Sequence, residues 1–254
     1  MPDTTHDRLI DRQFAPLAQA YLTSAVHAQG PDLELMHSLV APGRFTRALD
    51  LGCGGGHATY ALAPLVAEVI AYDLSSSMLN LVQAQAATRG LRNVTIQQGA
   101  AQRLPFPDAH VDLVVTRYSA HHWQDLATCM QEARRVLKPG GCAILMDVIV
   151  PPEALLDSWL QCLELMRDPS HVRDYALGEW TTALTAAGLR PEPATTFRLR
   201  LDFRTWVARM NTPQPLVQAI SALLRQAPAE VARHFAIEPE DGGFTIDTML
   251  ILAR

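Results

Sequence analysis

Residues 48–59 read Ala48-Leu-Asp-Leu-Gly-Cys-Gly-Gly-Gly-His-Ala-Thr59. An apolar run ends in an acid, glycines follow at Gly52, Gly54, Gly55 and Gly56, and a helix-like pattern opens behind them. A strand, a glycine-rich turn and a helix make a nucleotide-holding corner of a parallel sheet. The side chains decide which nucleotide. The dinucleotide pattern G-x-G-x-x-G, counted from Gly52, needs glycine at position 57, where this chain has His57. Asp50 stands just before the first glycine, at the mouth of the turn, and would repel a pyrophosphate.

Outward from this turn the chain alternates between two periods. Strand-like runs lie at Phe45–Leu51, Glu68–Tyr72, Val94–Gln97, Val111–Thr116 and Cys142–Val150. Helical patterns lie between them at His57–Leu65, Ser75–Arg89 and Leu126–Leu137, the last stopped by Lys138-Pro-Gly-Gly141. Such alternation means a parallel sheet with helices on both faces, and right-handed crossovers gather the strand C-termini at one ligand-binding edge. Before this core, Leu9–His27 and Asp32–Val40 read as helical. After it, Pro151-Pro152 breaks the alternation. Helices at Glu153–Arg167 and Glu179–Ala187, a strand at Thr195–Phe203, more helix over Thr205–Phe235 and a last strand at Phe244–Leu252 follow. The expected organisation is one domain: a helical cover at 1–44, a cofactor-binding core at 45–150, and a lid insertion with the final strands at 151–254.

The site residues follow from the edge. Asp50 and the glycine turn suit a ligand that carries a carboxylate for the helix amides and a cationic group for the acid. S-adenosylmethionine has an α-carboxylate, an α-ammonium and a sulfonium. Asp73 ends the second strand, where an acid accepts hydrogen bonds from ribose hydroxyls. Met78, one turn into the next helix, is placed to pack on adenine.

Five motifs stand in order: Asp50-Leu-Gly-Cys-Gly-Gly-Gly56; Tyr72-Asp73-Leu-Ser75; Leu104-Pro-Phe-Pro-Asp108 followed by Val111-Asp-Leu-Val-Val115; His121-His122-Trp123; and Arg135-Val-Leu-Lys-Pro-Gly-Gly141. Together they resemble the class I S-adenosylmethionine-dependent methyltransferases, and within them the type 11 set that includes the ubiquinone and menaquinone C-methyltransferases. The resemblance covers Phe45–Val150. It implies an α/β fold, a doubly wound, mostly parallel seven-stranded sheet of order 3-2-1-4-5-7-6 with strand 7 antiparallel. It implies that Gly52, Cys53, Gly54, Gly55 and Gly56 line the methionine part of the cofactor, that Asp73 holds the ribose, and that Leu74 and Met78 flank adenine. Ala100 and Ala101 fall at the adenine edge and Arg117 near the methionine group. The family often has an acid where this chain has Ala100, which leaves the Ala101 backbone and the Gln102 side chain to meet the adenine amino group.

The acceptor side is less determined. His121 and His122 follow the fourth strand on the ligand edge. One of them is a candidate general base, since an unperturbed imidazole titrates near neutrality; a histidine that only packs the loop is the competing reading. Arg117 and Tyr118 suit an acidic acceptor, and Arg117 equally suits pairing with an acid of the protein. Tyr21, on the first helix, stands either over the cofactor or in that helix's apolar stripe. Arg173, Tyr175 and Trp206 lie in segments rich in aromatic and basic groups, suited to a lid.

Composition bounds the rest. The 254 residues are 48% hydrophobic and 19% charged, with a formal net charge of −5. A mildly acidic chain disfavours nucleic acid as the main partner, and no Asn/Asp-Pro-Pro-Tyr/Phe motif follows strand four. No apolar run reaches the roughly 20 residues of a membrane helix. Cys53, Cys129, Cys142 and Cys162 show no metal-site or disulfide spacing, so no metal and a reducing cytoplasm are expected. The reaction expected is methyl transfer from S-adenosylmethionine to a small-molecule acceptor, leaving S-adenosylhomocysteine. A cofactor-binding module without catalysis and a dinucleotide-dependent oxidoreductase are the alternatives, separable by turnover and by NADH binding.

Overall fold

Val111–Arg117 is the centre of the molecule. Its β-branched, almost fully buried residues form a strand with hydrogen-bonded neighbours on both sides. The computed structural model describes residues 5–17, 30–40 and 44–254. Seven strands form one sheet: β1 (Arg47–Leu51), β2 (Glu68–Asp73), β3 (Val94–Gln98), β4 (Val111–Arg117), β5 (Leu137–Ile149), β6 (Thr195–Leu201) and β7 (Phe244–Ala253). Their order is 3-2-1-4-5-7-6, as the resemblance implied. The first five pair in parallel, and β7 runs antiparallel between β5 and β6.

The described helices are α1 (His6–Phe14), α2 (Pro31–Leu39), α3 (His57–Leu62), α4 (Ser76–Thr88), α5 (Leu126–Val136), α6 (Ala154–Arg167), α7 (Leu177–Ala186), α8 (Phe203–Arg209), α9 (Gln214–Arg225) and α10 (Ala229–His234). Strand alternation sends Leu49, Val114, Leu145 and Ile251 to one sheet face, where Cys129 and Met130 of α5 and Trp180 and Leu184 of α7 cover them. Ala48, Leu113, Ile144 and Leu250 go to the other face, against Met36 of α2 and Leu62 of α3. A further core extends from the end of β5: Val148, Val150, Leu160, Trp206, Ile220, Phe235 and Phe244 bind α6, α8, α9 and α10 into a cover. Burial of each such large side chain contributes about 1.5–3 kcal/mol.

Three expected boundaries differ from those observed. Lys138-Pro-Gly-Gly141 does not end the β4–β5 crossover before a strand begins. Leu137 already pairs with Val111, and the ladder shifts register between Val111 and Leu113 before Cys142 takes up regular pairing. The glycines absorb an irregularity inside the strand. The Thr205–Phe235 helix is three helices, because Pro213 and Pro228 occupy the N-cap positions of α9 and α10. The Thr195–Phe203 strand stops at Leu201 because Asp202 caps α8, accepting from the Thr205 N–H at 2.8 Å. Of the expected helix Leu9–His27, α1 and a short turn at Ala15–Leu17 are described; the remainder lies outside the described residues.

Candidate active site

The glycine turn joins β1 to α3 with Gly52 at φ +75°, Gly54 at +47° and Gly56 at +83°. Gly52 is required twice over: its backbone is left-handed, and a Cβ there would stand 1.9 Å from Ser119 Oγ. The turn is tied down from inside. Gly52 and Cys53 donate their N–H groups to the Tyr72 carbonyl at 2.8 and 3.0 Å, Gly56 donates to Cys53, and Gly54 donates to Asp73 Oδ2 at 2.8 Å. The sequence suggested a loop offering its amides to a ligand. Most of those amides are committed within the protein, so the turn chiefly offers a close backbone approach.

Asp50 is 1% exposed. Its Oδ2 accepts from Thr59 Oγ1 at 2.5 Å, while its Oδ1 is buried with no hydrogen-bond partner among the described residues. Burial raises its carboxyl to about 6 against the opposing bond from Thr59. Asp73 accepts from Gly54 with one oxygen and from the Ser75 N–H with the other at 2.9 Å. Burial raises its carboxyl and these bonds oppose the rise. Gly99 lies so close to Tyr72 that a Cβ would come within 2.0 Å of the phenol oxygen. That hydroxyl donates to the Ala100 carbonyl at 3.0 Å.

At the end of β4, Arg117 forms a buried two-point ion pair with Asp32 of α2, Nε to Oδ2 at 2.5 Å and a terminal nitrogen to Oδ1 at 3.2 Å. Tyr118 follows with φ +52°, its ring under the Arg117 guanidinium at 4.6 Å. The chain then makes one tight turn, Ala120–His122. His121 Nδ1–H donates to Asp147 Oδ1 at 2.7 Å. Burial lowers its pKa, but the charge and hydrogen bond of Asp147 outweigh burial and bring it to about 9. His122 differs. Its Nδ1–H meets the Ser170 carbonyl at 3.1 Å and its ring packs edge-on to Phe14 at 5.0 Å. Burial, then the charge of His121, lower it to about 4.

These groups wall a single cavity enclosing about 1480 Å³, its open mouth included. Asp50, Gly52, Cys53, Gly54, Gly55, Asp73, Leu74, Met78, Ala100, Ala101 and Gln102 line one half. Arg117, Tyr118, His121, His122 and Trp206, from β4, the turn after it and α8, line the same cavity. Gly56 does not line it; its role is to start α3. Arg173 also lies outside the lining and pairs with Asp157 and Glu179, and Tyr175 outside it donates to the Trp123 carbonyl at 3.2 Å. Tyr21 lies outside the described residues. The sequence reading missed Phe14 of α1, Glu164 and Arg167 of α6, and Asp174, all in the lining. Glu164 and Arg167 at the i, i+3 spacing on an amphipathic helix were the only local signal among them.

Does this chain's cavity fit S-adenosylmethionine? The orphaned Asp50 oxygen is an acceptor waiting for a cationic donor, and Asp73 has lone pairs left after its two backbone bonds. Leu74 and Met78 supply an apolar wall beside them. The residues fit the group.

Comparison with known proteins agrees. A family model described as a methyltransferase domain matches residues 49–145. The chain is 46% identical over 203 residues to the uncharacterized protein YafE of Escherichia coli, covering 80% of this chain and 98% of the relative. It is 35% identical over 237 residues to the uncharacterized methyltransferase YcgJ of Bacillus subtilis, covering 93% of this chain and 94% of that one. The crystal structure of YcgJ superimposes with a TM-score of 0.84 at 33% identity, over 87% of this chain and 97% of the other. A 2-phytyl-1,4-naphtoquinone methyltransferase of Synechococcus elongatus is 33% identical over 158 residues, 59% of this chain and 66% of the relative.

Proposed function

The chain belongs to the class I S-adenosylmethionine-dependent methyltransferases, and we propose that the cavity described above holds S-adenosylmethionine at the glycine turn and a small organic acceptor beneath the α6–α8 cover. The cofactor supplies a methyl group on a sulfonium, a good leaving group. The carrying observation is the orphaned Oδ1 of Asp50, a buried acceptor in the same cavity wall as Asp73 and the glycine turn. In this reading Asp50 and the turn receive the methionine part, Asp73 the ribose, and Leu74 and Met78 the adenine faces. Tyr72, by donating to the Ala100 carbonyl, holds the Ala100–Gln102 segment at the adenine edge. Arg117 acts on the cofactor at one remove. Its guanidinium fixes Asp32, and so holds α2 against the end of β4, instead of reaching for the carboxylate itself.

Methyl transfer is an in-line displacement whose rate comes largely from alignment in a closed space. The apolar residues Leu199, Leu201, Trp206 and Ile246 on the acceptor side exclude water there. Relatives named for quinone methylation support a small organic acceptor. A cytoplasmic setting is part of the reading, supported by four free thiols, three of them buried. Calorimetric titration with S-adenosylmethionine, S-adenosylhomocysteine and NADH tests it. Micromolar binding of the first two and none of the third is expected. Binding of NADH alone, or of none, overturns it.

A further inference from the structure

The acceptor half of the cavity ends in a polar cluster built around Asp147, His121 and Asp174. Asp147, 1% exposed near the end of β5, accepts three hydrogen bonds. They come from the Ala120 N–H at 2.8 Å, the Val148 N–H at 2.8 Å and His121 Nδ1 at 2.7 Å. Three donors fix its orientation, and its Oδ1 takes the Nδ1–H of His121. The other nitrogen, Nε2, has no partner among the described residues, and His121 lines the cavity. Asp174 lines the same cavity, is 2% exposed, and carries a buried Oδ2 without a hydrogen-bond partner. His171 stands 4.0 Å from that oxygen, but its Nε2–H is already given to Gln161 Oε1 at 2.9 Å.

The charged and titratable groups facing His121 are Asp147 from β5, His122 from its own turn, His171 and Asp174 from the segment before α7, and Glu164 with Arg167 from α6. They cancel in pairs: Asp147 with His121, and Glu164 with Arg167 at 3.0 Å. Burial, and then the neighbouring Glu164, push the Asp174 carboxyl well above its ordinary range. Burial, and then the charge of His121, keep His171 neutral, lowering it to about 2. An acceptor therefore meets no uncancelled negative charge here. It meets two donors, the His121 Nε2–H and the Asp174 hydroxyl. The site adjoins the glycine turn through Ser119, whose Oγ sits where a Gly52 side chain would be.

Resting on the methyltransferase reading, we propose that this chain takes its acceptor as an oxygen anion, an enolate or phenolate, received by His121 Nε2–H and the Asp174 hydroxyl. Asp147 is the positioning residue that aims His121, and Leu199, Leu201, Trp206 and Ile246 wall the apolar body of the acceptor. The acceptor loses its proton to water before binding. Its electron pair forms the new bond to the methyl carbon, sulfur keeps the pair of the broken bond, and His121 keeps its proton. Anion and sulfonium both become neutral, a charge recombination that a dry cavity favours. His122, packed and neutral, takes no part.

The test uses 4-nitrophenol, whose phenolate absorbs visible light and whose phenol does not. The dye is titrated with pH on the full chain saturated with S-adenosylhomocysteine. Bound to the wild-type protein it is expected to ionise with a constant raised about tenfold over the free dye, one pH unit earlier. His121→Gln abolishes that shift, and Asp174→Leu and Asp147→Asn reduce it. A nuclear magnetic resonance titration of the His121 ring in the wild-type protein, with and without dye, needs no variant to fold. It should show the ring holding its proton to higher pH when the dye is bound. Failure of the dye to bind, an unshifted constant in the wild type, or an equal shift in His121→Gln overturns the proposal. Calorimetry with S-adenosylhomocysteine on the same samples separates the two readings. Cofactor bound with the dye unshifted rejects the oxygen-anion site alone, and no cofactor binding rejects the methyltransferase reading beneath it.

Discussion

Replacing Asp73 by alanine separates the tie that the structure shows from the ribose contact that we propose for the same carboxylate. As a tie, it accepts the Gly54 and Ser75 N–H groups at 2.8 and 2.9 Å. Removing it strands two backbone donors, at a cost to folding stability of about 1–3 kcal/mol. As the proposed ribose acceptor, it would supply a charge-assisted hydrogen bond of about 1.5–3 kcal/mol, whose loss is about a 10- to 150-fold rise in Kd. Asp73→Asn should fall between the two, since it keeps one acceptor oxygen and loses the charge. Urea denaturation reads the first effect. Calorimetric titration with S-adenosylhomocysteine, at a temperature where circular dichroism finds the variant folded, reads the second. An unchanged Kd in a destabilised Asp73→Ala protein would refute the ribose assignment and leave Asp73 as a loop tie alone.

Gly52→Ala meets a left-handed backbone and a Ser119 oxygen at 1.9 Å. We expect a loss of about 2 kcal/mol or more in stability, of which Ser119→Gly in the same chain restores only the steric part; thermal melting of the three proteins decides. Asp32→Ala removes the two-point carboxylate partner of a guanidinium whose side chain is 5% exposed, at a cost of about 3–5 kcal/mol. The double change Asp32→Leu with Arg117→Met should recover most of it, and equal denaturation midpoints for the single and double variants would contradict this account. Stability should also depend on pH in opposite ways on the two sides of the ordinary histidine value. His121, raised to about 9, binds its proton more tightly in the folded state, so its contribution is complete below about 6.5 and is lost as pH rises toward 9. His122 and His171, lowered to about 4 and about 2, contribute above 6.5 and lose that contribution as pH falls. Each group sets a slope of at most about 1.4 kcal/mol per pH unit. Urea midpoints at pH 7, 8 and 9 should fall in the wild type and fall less in His121→Gln, and parallel lines would reject the pairing with Asp147.

The sheet and the glycine turn were legible because their signals are local. A buried parallel strand shows as a continuous apolar run, as in Val111–Val115, and a left-handed turn shows as glycine, as at Gly52 and Gly54. The acceptor half was legible only as far as the pair His121-His122. Asp147 sits inside the apolar run of β5 and reads as an interruption, until the fold brings it to a histidine 26 positions earlier. Asp32 and Arg117 meet across 85 positions, and neither carries a spacing that announces the other. Arg117 was expected beside the methionine group. It lines that cavity, yet its guanidinium is turned to an acid on a helix that periodicity alone does not orient. Asp174 was invisible for the same reason, and Glu164 signalled only its i, i+3 pairing with Arg167, since their burial belongs to the cover and not to their own segments.

The place of β7 sets an order on the making of the protein. β6 is synthesised before β7 but pairs with no other strand, while β5 keeps its outer edge unpaired until β7 arrives between them. A nascent chain halted just short of Phe244 therefore presents a finished glycine turn on an unfinished sheet, with the open edge of β5 free to recruit strands from neighbouring chains. Translation through the last strand covers the outer edge of β5 and gives β6 its partner.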